Sequence, residues 1–175
     1  MINLQLFHTL KNVRHITGQL LTAAPETTPC YGFLEKGFAY EYYRTNKNKQ
    51  LVTWFWGKGE FVIPTSRYSN IVLTRDAEFH ELPYDVMFEH LKKCAENREE
   101  YALERGWHNV QIAERISDIR YLSPFQQYLK LLQRIPWVFD YVHKEQIASY
   151  LNIDVLELRR FMLKRPVTLP DRQEE

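Results

Sequence analysis

Near Pro83 the chain changes rhythm: short runs of alternating side chains give way to apolar residues recurring every three or four positions. The first rhythm belongs to strands, the second to helices. Before the change, Tyr31 to Leu34, Phe38 to Arg44 and Gln50 to Trp56 are rich in the aromatic and β-branched residues that suit a pleated surface. Turn residues separate such runs at Thr17-Gly18, Ala23 to Pro29, Lys36-Gly37, Thr45 to Lys49, Gly57-Lys58-Gly59 and Pro64, as in an antiparallel sandwich or barrel. Alternation places Tyr40 and Tyr42 on one face against Glu41 and Tyr43, and Trp54 and Trp56 opposite Phe55. One aromatic face is expected to line the interior. Asn46-Lys47-Asn48 predicts a hairpin, since Asn tolerates positive φ.

After Pro83, Val86, Met87 and Leu91 give Tyr84 to Cys94 a helical spacing, and Glu96 to Tyr121 follows without proline. The second helix would span about 35–40 Å, more than closing a small domain requires. It carries two apolar stripes, Leu103, Trp107 and Val110 on one side and Ile112, Ile116 and Ile119 on the other. Two stripes imply two partners: one stripe on the β domain, and the Ile112, Ile116, Ile119 stripe on a second copy, as in a short coiled coil. A helix buried within one subunit is the alternative. Farther on, Ser123-Pro124 is a helix start with Phe125, Tyr128, Leu129, Leu131 and Leu132 as its buried face. Pro136 ends it, and Pro166 to Glu175 reads as a fraying tail.

Between His143 and Phe161 the residues spell two helices joined by a tight turn. Ile147 and Leu151 form an apolar edge, Ala148 is small where the helices cross, and Ile153 plugs the turn. Asn152 stands where a left-handed residue is needed. Asp154 caps the second helix with Glu157 three residues later. Leu158, Phe161 and Met162 face inward, which leaves Leu156, Arg160 and Leu163 exposed between Arg159 and Lys164. Val155 to Arg165 holds four basic residues and one acidic one. This pattern fits a helix-turn-helix whose second helix enters the major groove, and it also fits an ordinary hairpin with a solvated face.

Composition narrows the classes. The 175 residues are 45% apolar and 26% charged, which excludes a solvated disordered chain and suits one medium domain or two small ones. With 23 basic and 22 acidic side chains the net charge is +1, so any basic surface is local. No stretch of about 18 apolar residues suggests a membrane span, and a cytoplasmic location is expected. Cys30 and Cys94 allow neither a disulfide framework nor a four-cysteine zinc site. His8, His15, His80, His90, His108 and His143 show no pair at metal-ligand spacing. Glu78 and Glu81 around His80 could form an acid-base cluster, although a solvated strand face explains them better. No catalytic residue, metal site or cofactor is expected.

The order of these parts resembles the Crp/Fnr superfamily of bacterial transcription regulators. The likeness runs from about Leu10 to Lys164, and rests on Tyr31-Gly-Phe-Leu-Glu-Lys-Gly37, Gly59-Glu60-Phe61, Leu122-Ser-Pro-Phe-Gln-Gln-Tyr-Leu-Lys-Leu-Leu132 and Ile147-Ala-Ser-Tyr-Leu-Asn-Ile153. The resemblance implies an α+β fold: a jelly-roll-like antiparallel β-roll of the cyclic-nucleotide-binding type over residues 1–82, linking and dimerisation helices over 83–121, and a helix-turn-helix domain over 122–175. It also implies a homodimer on a two-fold related site in double-stranded DNA, with Arg159, Arg160 and Lys164 as contacts, Glu157 beside them, and an unidentified small-molecule effector or none. Gly59, Glu60 and Phe61 match the start of a phosphate cassette. The segment then runs through Arg67 to the Ile71–Arg75 strand without the arginine and small neighbour that hold a cyclic phosphate, a charge-assisted contact among the stronger hydrogen bonds; cyclic AMP binding is not expected. Val155 and Leu156 stand where a base-reading arginine and glutamate are frequent. A degenerate relative that docks a protein partner through exposed leucines, or a cupin-like metal enzyme, are the alternatives.

Overall fold

In a computed structural model, the described residues are 13–15, 20–22, 31–66, 68–74, 77–82, 88–89, 92 and 95–164. Among these residues are eight strands: β1 (Val13–His15), β2 (Leu20–Thr22), β3 (Tyr31–Lys36), β4 (Ala39–Arg44), β5 (Gln50–Trp56), β6 (Phe61–Val62), β7 (Asn70–Leu73) and β8 (Glu78–Leu82). They form two antiparallel sheets, ordered β1-β8-β3-β6 and β2-β7-β4-β5. Between them lies a core of Leu34, Ala39, Trp54, Trp56, Val62, Ile71, Leu73, Ala77 and Phe79. Asn48 makes the expected hairpin turn at φ 59°. Gly37 sits at φ +84° with Ala77 Cα only 2.6 Å from where a Cβ would stand, so both conformation and space require glycine there.

From residue 95 on, the described residues form five helices: α1 (Ala95–Tyr121), α2 (Pro124–Arg134), α3 (Val138–Tyr141), α4 (Lys144–Leu151) and α5 (Val155–Leu163). Ser123 opens α2 with a capping box, its hydroxyl accepting from Gln126 N while the Gln126 side chain returns to the Ser123 backbone. The helix expected over Tyr84 to Cys94 lies mostly outside the described residues, as do Cys30, Arg67, Arg75 and the Pro166–Glu175 tail.

A single register irregularity explains why both faces of β5 are buried. Glu41 pairs with Trp54 and Tyr42 with Val52, leaving Thr53 as the extra residue of a bulge. Beyond it Trp54 and Trp56 point into the roll, as expected of one aromatic face, while Phe55 and Val52 point out. That outer face is not solvated: with Phe38 and Tyr42 it packs on Tyr128, Leu131, Ile147, Tyr150 and Leu158 of the helices. Each such side chain contributes about 1.5–3 kcal/mol on burial, so one continuous core joins roll and helices.

The packed side of α1 departs from expectation. Leu103, Trp107 and Val110 are exposed, as are Ile116 and Ile119, and only Ile112 reaches the roll core. The packed line runs between the two stripes, with His108 against the roll and Arg115 against the helices that follow. His108 is 5% exposed and meets the Trp54 ring edge-on at 5.6 Å. Burial, then the charges of Arg105 and Arg134, push its pKa down to about 4, against the pull of a hydrogen bond to the Ile63 backbone. Arg115 lies 3.8 Å from the Tyr150 ring centroid and donates to Gln127 Oε1 at 2.8 Å and to the Tyr150 carbonyl. Burial lowers its pKa, which Tyr150 and Asp118 oppose. Polar and aromatic groups make this joint, so the apolar stripes did not mark it.

Candidate nucleic-acid interface

α4, its turn and α5 are built as their residues dictate. Asn152 adopts the left-handed conformation at φ 54°, ψ 42°, and its N–H closes α4 on the carbonyls of Ala148 and Ser149. Asp154 accepts from Glu157 N at 2.7 Å and caps α5, satisfying one of the amides that a helix start leaves open. Ile147, Ala148 and Leu151 are buried with Leu158 and Phe161, and Ile153 and Met162 pack against them. Pinned on one side, α5 presents the other to solvent. Arg159, Arg160 and Lys164 are exposed together with Leu156 (64%) and Leu163 (87%). Glu157 is half-buried at the first turn, suited to favourable interaction with the helix dipole.

α4 is clamped to the roll by one hydroxyl. Ser149 Oγ accepts from Val52 N at 3.0 Å and donates to the Gln50 carbonyl at 2.9 Å. β5 ends its sheet, so Ser149 satisfies groups that an edge strand otherwise leaves open. The orientation of α5 is thereby tied to the β4–β5 hairpin.

Gly59, Glu60 and Phe61 have local duties. Gly59 turns at φ +84° and donates from N to the Leu34 carbonyl at 2.7 Å. The Glu60 carboxylate accepts from Gly57 N at 2.7 Å and lies 3.8 Å from Arg134, while Phe61 packs edge-on against Phe33 at 5.3 Å. Together they border a cleft of about 180 Å³ against Trp107 and His108.

More telling is a group that the sequence pattern did not single out. Glu41 is fully buried, and its carboxylate accepts from Thr65 N (2.8 Å), Thr65 Oγ1 (2.6 Å) and Thr53 Oγ1 (2.9 Å). Thr53 reaches it because of the bulge, and Thr65 belongs to the segment after Gly59-Glu60-Phe61. The only available signal was an acid in an otherwise aromatic strand. Ile112, Ile116 and Ile119 border a groove of about 560 Å³ with Thr53, Thr65 and Arg115. His80 takes Glu35 as partner, and Lys36 lies 3.3 Å from Glu78. Among the described residues no group of three or more His, Cys, Asp and Glu could hold a metal, and no helix is long and apolar enough to cross a membrane.

No family model and no curated protein matches the chain. Solved structures do. FixK2 from Bradyrhizobium japonicum has a TM-score of 0.68 at 11% identity, with 87% of this chain and 84% of that one covered. A protein from Eubacterium rectale described as a transcriptional regulator of the crp/fnr family gives 0.69 at 11%, covering 87% and 77%. The c-di-GMP responsive global regulator CLP of Xanthomonas campestris gives 0.63 at 13%, covering 87% and 85%. At such identities the likeness is one of architecture. Two antiparallel sheets followed by helices, matched over most of each chain, give this α+β protein a Crp/Fnr-like fold.

Proposed function

We propose that this chain is a homodimeric, non-enzymatic transcription regulator of the Crp/Fnr type that binds double-stranded DNA. Residues 1–82 are its β-roll, 83–121 its linking and dimerisation helices, and 122–175 its DNA-binding unit, with α4, the Asn152 turn and α5 as the helix-turn-helix. The observation that carries the reading is the outer face of α5, where Arg159, Arg160 and Lys164 stand exposed on a helix that is capped and held from behind. Arg159 and Lys164 contact phosphates, Arg160 reaches base edges, and Glu157 helps to set the helix in place. The Ile112, Ile116, Ile119 stripe of α1, on which Ile116 and Ile119 are exposed, supplies the surface for a second copy.

The roll does not answer to cyclic AMP. Trp54 and Trp56 fill its interior, and Glu41 engages the Thr65 N–H and hydroxyl, donors of the segment that would face a cyclic phosphate. A phosphate within about 5 Å of that carboxylate would meet roughly 3 kcal/mol of repulsion at an effective dielectric constant near 20.

The exposure of Leu156 and Leu163 favours a second reading, in which α5 docks a protein partner. Selection of bound fragments from a random DNA pool, with and without small molecules from a cell extract, separates the two. Enriched half-sites about one helical turn apart support DNA binding by a dimer, and Arg160→Ala should then relax the preference. Absence of duplex affinity at low salt overturns the reading in favour of a protein partner.

A further inference from the structure

The hairpin between β4 and β5 carries Arg44, Lys47 and Lys49, and no acidic residue occurs between Glu41 and Glu60. Its shape is set locally. Thr45 N donates to the Lys49 carbonyl at 2.9 Å, Asn48 N to the Thr45 carbonyl at 2.8 Å, and Lys49 N to Thr45 Oγ1 at 3.1 Å. Arg44 is held along the strand by Asn48 Oδ1 at 2.7 Å and by the Tyr42 ring. Lys47 and Lys49 differ from it: both are exposed, and neither side chain has an ion-pair or hydrogen-bond partner among the described residues.

Their place in the fold gives these free cations a direction. Lys49 and Gln50 border a groove of about 380 Å³ with Glu145 and Gln146 in the first turn of α4, and with Asp154 and Val155 at the start of α5. In a helix-turn-helix the first helix crosses the phosphate backbone and the second leads with its N-terminal residues into the groove. A side chain beside the starts of both helices is therefore beside the duplex. The Ser149 clamp and the shared core keep the hairpin in the frame of α5, so no rearrangement is needed to bring it there. Glu145 and Asp154 lie nearby; Asp154 is engaged with Glu157 N, and neither forms an ion pair with Lys49.

We propose that the β4–β5 hairpin is a second phosphate-contacting element of the DNA interface, with Lys47 and Lys49 reaching the duplex backbone beside the first turns of α4 and α5. This rests on the DNA-binding reading above. Contacts of this kind add affinity without sequence preference, and each neutralised phosphate steepens the dependence of log K on log salt by about 0.9.

The test measures binding of the full chain to a fluorescent random-sequence duplex across a salt series, for the wild type, for Lys47→Ala with Lys49→Ala, and for Arg159→Ala with Lys164→Ala. The hairpin variant should lose about 1.8 from the slope per protomer on the duplex. A fourfold rise in salt then weakens the wild type more than the variant by about twelvefold for each protomer engaged, about 150-fold for the dimer. The melting temperature should not move, since both lysines are exposed and unpartnered. An unchanged slope in the hairpin variant, alongside a reduced slope in the α5 variant, overturns this inference and leaves DNA binding standing. No wild-type binding at the lowest salt overturns both.

Discussion

Replacing His108 with asparagine should remove a pH dependence of stability between about pH 6.5 and pH 4. In the folded chain burial, reinforced by Arg105 and Arg134, holds the His108 pKa down at about 4, against an ordinary value of 6.5. Above pH 6.5 the imidazole is neutral in both states and makes no differential contribution. As pH falls below 6.5 the unfolded chain takes up a proton that the folded chain refuses, so stability drops until the folded pKa is passed. The interval, at about 1.4 kcal/mol per pH unit, comes to roughly 3 kcal/mol, a large fraction of the stability of a domain this size. Urea unfolding followed by circular dichroism at half-unit pH steps gives the free energies. Carboxylates titrate in the same range in both proteins, so the quantity to plot is wild type minus variant. That difference should be flat above pH 6.5, fall steadily through pH 5 and level off near pH 4. Two curves that stay parallel across the interval would refute the burial argument.

Other substitutions probe the joints. Ser149→Ala removes the hydroxyl that serves both Val52 N and the Gln50 carbonyl; a loss of about 1–3 kcal/mol is expected by urea unfolding, with faster hydrogen exchange at the Val52 amide. Asp154→Ala should cost about 1 kcal/mol through the lost cap, with weaker DNA binding but an unchanged base preference. Gly32→Ala places a Cβ 2.3 Å from both the His80 carbonyl and Phe79 Cζ, so folded yield and melting temperature should fall. Glu41→Ala leaves the Thr65 N–H and two hydroxyls without their acceptor, a cost of roughly 3 kcal/mol that a lower urea midpoint would report; Glu41→Gln, which keeps an acceptor oxygen, should fall between.

Local chemistry was legible and cross-chain chemistry was not. The turn at Asn48, the left-handed Asn152, the Ser123 start and the Asp154 cap were readable because each depends on residues within four positions of one another. Exposure of Leu156, Arg160 and Leu163 followed from helical period alone. The contact face of α1 was hidden because it is made by His108 and Arg115 rather than by either apolar stripe. The Glu41 cluster was hidden for a different reason: it needs a bulge at Thr53 to turn a hydroxyl through an otherwise regular alternation. Nor does any periodicity reveal that Ser149 meets a strand about a hundred positions earlier.

That last contact bears on how the molecule can be divided. β5 is a terminal strand, and α4 is what covers it. Expressed without its C-terminal helices, the roll would present bare amides and carbonyls along β5 next to uncovered Phe38, Val52 and Phe55, a surface prone to pair with other chains. The two halves are therefore poor candidates for shuffling as interchangeable modules: a new partner for the roll would have to bring its own lid for that rim, with a small hydroxyl side chain at the matching spot.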